Sequence, residues 1–322
     1  MSARVHQGSI VEGNAIILHH YWLSPFSEKI RLLLGHCELD WLSVEQPPRL
    51  PRPELTPLTG GYRKMPVMQI GADIYCDTHV MVPELMRRGG RPELLPAARA
   101  DEITELADWV DSRLFMTVIT ASMGLSAVNA LRRDHGYGWG ELLRVITDRV
   151  RMMRGADVPR IPPKQARAEL KEFLDRFSQE MEGAYRFGEV PTLADFSLFH
   201  VLGFGHATLR AGFLDAYPRL LEWYARMGAI GHGRYRDISR AEALAVAAEN
   251  EPAELPVFDG GVPQGLAIGD AVRIAPADYG TTPTEGELVA ATAERWTIAR
   301  DAGELGRLHV HFPRQGFRIA TR

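Results

Sequence analysis

The chain has 322 residues and a formal net charge of −4, and 45% of its residues are hydrophobic and 24% charged. This length is typical of about two domains, and the balance of charge gives no electrostatic case for a nucleic-acid partner. No apolar stretch approaches the ~20 residues that span a bilayer, and residues 1–10 lack a secretory signal, so we expect a cytoplasmic protein without a membrane partner.

The first predicted strand and helix meet at a serine. Residues 15–21 form a short apolar run rich in β-formers, which is typical of a buried strand. Ser24 can cap the helix that follows, Pro25 suits the first helical position, and apolar residues recur at helical spacing from Phe26 to Cys37. The segment SPFS therefore lies at a strand-to-helix turn. Replacing both of its serines by cysteine would give Cys-Pro-Phe-Cys, which has the form of a redox dithiol motif.

The rest of the N-terminal part alternates between strand and helix. A weak strand is predicted at 40–44, and the prolines of 47–57 indicate a stiff surface connection. Residues 67–70 and 74–76 flank a Gly-Ala-Asp turn as in a hairpin, and a helix is expected to start at Asp77. This order predicts a mixed sheet with helices packed on it, as in thioredoxin-like folds.

Helical periodicity dominates from Asp101 to about residue 249 and predicts an all-helical domain. Thr192 to Asp195 and Ser239 to Glu242 have the form of capping boxes, which mark helix starts. The predicted helices are 101–123, 139–153, 163–183, 192–207, 217–228 and 238–249.

The C-terminal part changes to a period of two. Residues 250–265 are rich in Pro, Gly and acid, as in a linker, and five short β-prone segments follow, separated by Gly, Pro and Asp. They predict an SH3-like barrel or a small sheet that is marginally stable alone and docks on the rest of the chain. The predicted domains are therefore 14–90, 101–250 and 266–322, with a linker at 251–265.

The cysteines and histidines do not predict a metal site. Cys37 and Cys76 are too few and too scattered for a disulfide framework or a zinc site, and we expect both to be buried. His309 and His311 share a strand face and could bind a metal, but no third ligand is apparent, so the surface of the β domain is the favoured location.

Two features at the start of predicted elements suit a small zwitterionic peptide. Met65-Pro66 enters a strand after a Gly-rich turn, and a cis bond there would leave the backbone of Met65 open to pair with an extended ligand. Asp77 and Thr78 begin a helix, where free N–H groups and the dipole attract a carboxylate.

These segments resemble, in order, the glutathione transferase superfamily over residues about 14–250. The matching motifs are SPFSEKIR, KMPVMQIG, the Asp77-Thr78 pair and PTLADFSLF, and no family is recognised in 262–322. The resemblance implies a thioredoxin-like N-terminal domain that binds glutathione, an all-helical domain with a site for a hydrophobic electrophile, and a homodimer.

The resemblance also implies residue roles. Ser24 matches the position that carries the catalytic hydroxyl, the segment around Met65 holds the cysteinyl part of glutathione through its backbone, and Asp77-Thr78 stands where Glu-Ser or Asp-Ser binds the γ-glutamyl group. Pro83 departs from the pattern and is expected to kink or shorten its helix. The glutathione-binding residues so implied are Phe26, Lys64, Met65, Pro66, Asp77 and Thr78.

The implied reaction follows from thiol chemistry. A free thiol of pKa ~8.5 is mostly protonated at neutral pH, and the thiolate is the nucleophile. A hydrogen bond from Ser24 and the positive end of its helix would lower that pKa, so that the thiolate attacks an electrophile. A serine cannot form a mixed disulfide, which favours conjugation, as in detoxification, over thiol-disulfide exchange.

Several alternatives stay open at this stage. Ser24 could be a helix cap alone, and Tyr21 could supply the hydroxyl instead. His19 and His20 point to opposite faces of a strand and are expected to be satisfied core or edge residues. Arg63 is expected to be solvated, although it could reach the glycyl carboxylate of glutathione.

The reaction itself also has alternatives. The fold is compatible with a non-catalytic scaffold or binding module, since fold does not fix function. Isomerase, dehalogenase, etherase and peroxidase activities would also use glutathione and would differ from conjugation only in the reaction catalysed.

Overall fold

A mixed sheet of ten strands runs through the computed structural model, which describes residues 12–122, 138–156, 158, 161–209, 212–255 and 261–322. The strands are β1 (Ile16–His20), β2 (Trp41–Glu45), β3 (Val67–Ile70), β4 (Asp73–Cys76), β5 (Tyr235–Asp237), β6 (Ala271–Pro276), β7 (Thr284–Ala291), β8 (Arg295–Asp301), β9 (Arg307–Pro313) and β10 (Phe317–Thr321). Their order across the sheet is β10-β6-β7-β8-β9-β4-β3-β1-β2-β5.

The α-helices of the described residues pack on this sheet and on one another. They are α1 (Pro25–His36), α2 (Leu55–Thr59), α3 (Thr78–Gly89), α4 (Ala100–Trp109), α5 (Phe115–Ser122), α6 (Trp139–Met152), α7 (Pro163–Glu180), α8 (Leu193–Thr208), α9 (Pro218–Ile230) and α10 (Arg240–Ala248). A π-helical segment, Val110–Leu114, connects α4 to α5.

The thioredoxin-like half is built around β1. This strand is parallel to β2 and antiparallel to β3, and β3 forms a hairpin with β4. In the register His19 lies opposite Val67, which in turn lies opposite Cys76. The end of β1, the start of β3 and the end of β4 therefore lie at one edge of the sheet, so the chain segments next to these three ends approach one another.

The helical half confirms the predicted cap signals. Thr192 and Asp195 form a capping box at the start of α8, and Ser239 and Glu242 form another before α10. The carboxylate of Asp195 also accepts a hydrogen bond of 2.9 Å from the indole N–H of Trp223. Burial raises the pKa of Asp195, while these hydrogen bonds oppose that rise. The box therefore also ties α8 to α9 in the core.

The β-rich C-terminal region is present, and it continues the N-terminal sheet. β9 pairs in parallel with β4, and β8, β7, β6 and β10 follow outward in antiparallel order. Because β9 pairs outward with β4, an SH3-like barrel is not confirmed. Apolar side chains of both regions share one core, with Ile74 and Val67 from the hairpin packed in the same cluster as Phe312 and Val310.

His309 and His311 are on β9 at the junction with β4, so the expectation of a surface location is wrong. The ring of His311 is buried, 2.7 Å from a carboxylate oxygen of Asp73 and 3.0 Å from the hydroxyl of Thr297. Burial lowers the pKa of His311, and the hydrogen bond to Asp73 opposes this effect. The two histidines lie inside because β9 is an internal strand.

Three local features differ from the sequence prediction. α2 forms within the proline-rich connection, and α3 runs through Pro83 for 12 residues, without the expected shortening. β5 was not predicted, and it pairs in parallel with β2. Its three side chains are exposed, so the alternation of apolar and polar residues that marks a half-buried strand is absent.

Candidate functional site

Ser24 caps α1 at the turn after β1. Its hydroxyl oxygen accepts a hydrogen bond of 3.3 Å from the backbone N–H of Ser27, and Pro25 occupies the first helical position. Only 3% of Ser24 is exposed. The hydroxyl hydrogen can rotate, so the same side chain can accept from the helix and donate to a ligand atom near the N-terminus of the helix.

An ion pair on α1, between a buried arginine and a partly buried glutamate, holds this turn. The guanidinium of Arg31 donates to the backbone carbonyl of Trp22 at 2.9 Å, to His20 at 3.0 Å and to the carboxylate of Glu28. Burial opposes the charge of Glu28, but hydrogen bonds from His232 and Arg31 lower its pKa to about 2. The loop that carries Ser24 is therefore fixed from its own helix.

The segment before β3 lies next to this turn. The Met65-Pro66 bond is cis, and Met65 is almost fully buried. The side chain of Arg63 is 12% exposed and forms an ion pair of 2.9 Å with Asp148 on α6, so the expectation of a solvated arginine is wrong. Lys64 also points at a carboxylate, that of Asp278, at 2.6 Å.

Asp77 and Thr78 begin α3 at the same sheet edge. Asp77 has a positive φ of 93°, and its carboxylate accepts hydrogen bonds from the backbone N–H of His79 at 3.1 Å and from the imidazole of His79 at 2.8 Å. Burial favours the neutral acid, but the hydrogen bond and charge of His79 lower the pKa of Asp77. Asp77, which is predicted to bind the ammonium of a ligand, is thus already paired with His79.

His79 bridges two carboxylates. Its second ring nitrogen lies 3.0 Å from Asp108 on α4, whose other oxygen accepts 2.7 Å from the amide of Gln315. Burial opposes the charge of the imidazole, yet the hydrogen bonds to Asp108 and Asp77 raise its pKa to about 10. His79 is therefore an imidazolium at neutral pH, and it links the start of α3 to the helical half.

A second buried network lies on the other side of α1. The ammonium of Lys29 is 2.6 Å from one oxygen of Asp111, and the imidazole of His200 is 2.9 Å from the other. Burial opposes the charge of Asp111, but Lys29 and His200 hold its pKa well below the usual range. The ring of His200 contacts Phe26, with 4.8 Å between centroids, and Phe26 contacts Phe115 at the same distance.

Apart from Asp77, the sequence prediction missed the polar residues of these two networks. Asp111 had a signal, because it falls on the same helical face as the buried residues Ala107, Val110 and Leu114. The π-helical segment carries Asp111, and such bulges are frequent at functional sites. His79 had no signal beyond its position two residues after Asp77.

The other candidates are also located. The hydroxyl of Tyr21 lies 3.1 Å from a guanidinium nitrogen of Arg149 on α6. His19 is bonded to Gln69 and Gln46, and His20 to Ser43 and Arg31, so both are satisfied core residues as predicted.

Cys37 and Cys76 are buried, as predicted, and burial raises the pKa of both thiols, that of Cys37 to about 11. Neither is therefore an activated thiol. Among the described residues no group of three or more His, Cys, Asp or Glu side chains is arranged to hold a metal ion. Nor does this part of the chain contain a helix long and apolar enough to cross a membrane.

Comparisons with known proteins agree with this architecture. Models described as the glutathione S-transferase N-terminal and C-terminal domains match residues 18–93 and 127–226. A solved GST-like protein from Pseudomonas syringae is 35% identical, with a TM-score of 0.80, and the match covers 96% of this chain and 100% of that one. The chain therefore belongs to the glutathione S-transferase family.

Solved structures that are less similar in sequence support only the fold. FzlA from C. crescentus is 19% identical, with a TM-score of 0.50 and coverage of 76% of this chain and 96% of its own, and it supports the fold alone. A search of curated proteins finds no match. The Pseudomonas syringae match covers so much of this chain that it includes most of the C-terminal strands.

Proposed function

We propose that the protein is a glutathione transferase that activates the thiol of glutathione for attack on a hydrophobic electrophile. Membership of the family supports glutathione as the co-substrate. The observation that carries the proposal is that the end of β1, the start of β3 and the end of β4 lie together, and Ser24, Met65 and Asp77 are in the chain segments next to these three ends. One extended tripeptide can contact all three segments.

In this proposal Asp77 and Thr78 bind the γ-glutamyl group, and the backbone of Met65 pairs with the cysteinyl residue. Lys64 and Pro66 belong to the same backbone segment, and Phe26 lies beside the thiol. Ser24 then donates its O–H to the sulfur, and the positive end of α1 adds to the stabilisation. The thiol proton leaves to solvent, and the thiolate forms a carbon–sulfur bond to the electrophile, which either releases its leaving group with the electron pair of the broken bond or, in an addition, takes up a proton from solvent.

Aromatic side chains support an apolar second site next to the thiol. Phe26 contacts Phe115, and Phe115 lies 6.4 Å from Phe204 between ring centroids. In the proposal the electrophile binds against the partly buried rings of Phe26 and Phe204, which pack on the buried ring of Phe115. The proposal also includes a cytoplasmic homodimer with a role in detoxification, and light scattering of the purified protein checks the dimer.

The test compares two serines of one turn. We expect Ser24→Ala to keep glutathione affinity within about threefold in calorimetry, and to raise the pKa of the bound thiol toward ~8.5. Turnover with a model electrophile should fall about ten- to hundredfold at neutral pH, because each unit of thiol pKa changes the thiolate fraction about tenfold.

Ser27→Ala is the matched control. The hydroxyl of Ser27 is buried and, among the described residues, has no hydrogen-bond partner, so its loss should leave turnover within about twofold. Equal losses in both variants would contradict the role of Ser24. Failure of the wild-type protein to bind glutathione at millimolar concentration would overturn the proposed function.

A non-catalytic glutathione-binding module is the second candidate. It is favoured by the burial of Ser24 and by the ion pair that already occupies Asp77. Normal glutathione affinity together with an unshifted thiol pKa and no turnover of any electrophile would support it. Product analysis separates conjugation from isomerisation, dehalogenation, ether cleavage and peroxide reduction.

A further inference from the structure

The outer side of α6 is an exposed apolar stripe. Trp139, Leu143, Ile146 and Val150 are 62, 64, 44 and 57% exposed. At about 100° per residue, these four side chains fall within an arc of about 60° around the helix. Outside α6, Val190 is the one large hydrophobic residue of the described chain that is more than half exposed. The exposed apolar side chains are thus concentrated on one helix face.

Arginines adjoin this stripe. Arg144 and Arg151 lie about 100° around the helix from the residues before them, Leu143 and Val150. Arg154 follows in the turn after the helix, and all three arginines are exposed. The chain as a whole has a net charge of −4, so this positive charge beside apolar side chains is a local feature.

The acidic side chains of α6 are engaged by other residues. Asp148 is buried and pairs with Arg63 at 2.9 Å, and Glu141 accepts two hydrogen bonds from Arg49, at 2.9 and 3.1 Å. Glu141 also lies 3.7 Å from Arg144, so one of the three arginines has a partial counter-charge. The apolar stripe therefore adjoins a net positive charge.

The inner side of α6 is fixed to the rest of the protein. Arg149 donates 2.6 Å to the carbonyl of Pro48 and 3.1 Å to the hydroxyl of Tyr21. The carbonyl of Met152 accepts 3.1 Å from the backbone N–H of Gly280, in the loop between β6 and β7. Together with the two ion pairs to the N-terminal half, these contacts hold the helix so that its apolar stripe faces outward.

We propose that this face of α6 binds an anionic lipid surface, with the helix lying in the plane of the interface. The tryptophan and the aliphatic side chains then insert at the boundary between headgroups and acyl chains, and the arginines bind lipid phosphates. An interfacial helix needs no apolar stretch of ~20 residues, the lack of which was the reason to expect no membrane partner.

The charges favour lipid over a second copy of the chain. Pairing two α6 stripes about a twofold axis would bring the arginines of both copies together, and like charges repel. An acidic protein would satisfy the charges, but it would also need a groove that fits the stripe. A lipid surface accepts a row of exposed apolar side chains without a matching shape.

The experiment measures flotation of the full chain with vesicles of phosphatidylcholine alone and of phosphatidylcholine mixed with phosphatidylglycerol. We expect binding to the anionic vesicles to be at least tenfold tighter, and to weaken as salt screens the attraction. Leu143→Glu puts a negative charge into the stripe and should weaken this binding more than tenfold. Arg151→Gln removes one positive charge and should weaken it about fivefold.

Val190→Glu and Arg87→Gln are the matched controls. Val190 is an exposed apolar residue outside α6, and the side chain of Arg87 on α3 is 68% exposed. Both variants should bind anionic vesicles within about twofold of the wild type. Because Leu143 is exposed, the urea midpoint of Leu143→Glu should match that of the wild type.

Three results would overturn the inference: no binding of the wild type to anionic vesicles, equal binding to neutral ones, or an equal loss in Val190→Glu. A wild-type dimer that Leu143→Glu splits in light scattering would also overturn it, because a second copy would then cover the stripe. None of these measurements involves glutathione, so their outcome is independent of the proposed function.

Discussion

Two helices start at the proposed site, and they are built differently. α1 begins at Ser24, a neutral and buried cap whose hydroxyl accepts a hydrogen bond from the backbone N–H of Ser27. α3 begins at Asp77, a charged cap at positive φ that is paired with His79. The N-terminus of α1 is therefore suited to bind a negatively charged sulfur, whereas the N-terminus of α3 already contains the carboxylate that would bind a ligand ammonium.

Both helices are anchored to the same stretch of the helical half. Lys29 of α1 reaches Asp111, with both side chains no more than 5% exposed, and His79 of α3 reaches Asp108, with 34% and 25% exposed. Burial makes the first anchor the stronger of the two, whereas solvent screens the second, whose charge on His79 is lost only as pH rises through about 10. The site is therefore held by one buried ion pair, Lys29–Asp111, and by a second ion pair, His79–Asp108, that requires a protonated histidine.

The largest expected effect comes from breaking the buried anchor. Asp111→Ala leaves Lys29 buried without a counter-charge and should lower the free energy of unfolding by about 3–5 kcal/mol. Asp108→Ala, at the partly exposed anchor, should cost about 1 kcal/mol. Urea unfolding measures both, and equal costs would contradict the difference between the two anchors.

The second effect is a pH dependence carried by His79. Its pKa is about 10 in the folded protein and ~6.5 when unfolded, so its stabilisation is complete below ~6.5 and is lost as pH rises through about 10. Because solvent screens a side chain one third exposed, we expect a loss of about 1–2 kcal/mol.

Unfolding of the wild type and of His79→Gln at pH 6 and pH 10.5 isolates this contribution. The variant should lack it, so the wild-type free energy should fall further than that of the variant over this interval. Parallel curves for the two proteins would show that His79 is not charged in the folded state.

The smallest effect concerns the cap of α1. The hydrogen bond that Ser24 accepts is long, so Ser24→Ala should cost only about 0.5 kcal/mol of stability, whereas Asp77→Ala loses a cap and an ion pair and should cost about 2 kcal/mol. Thermal unfolding ranks the two variants. A cost for Ser24→Ala as large as that for Asp77→Ala would make Ser24 chiefly a structural residue.

Local sequence patterns predicted the helices and strands better than they predicted which elements contact one another. The apolar run before Ser24 and the capping box at Thr192 depend on neighbouring residues, and both are found. The pairing of β9 with β4 depends on two distant edges, which no local spacing encodes. Likewise the position of Asp77 at a helix start was predicted from local sequence, but the charge of His79 depends on Asp108, which only the folded chain brings near.

The pairing of β4 with β9 has a consequence for biosynthesis. Residues 307–313, which form β9, are synthesised after the whole helical half. Until then the edge of β4 is unpaired and its apolar face is uncovered. Open strand edges and exposed apolar faces are templates for aggregation in unfinished chains. A chain cut in the 251–265 segment would therefore be an unfinished protein, and it should require chaperones or precipitate.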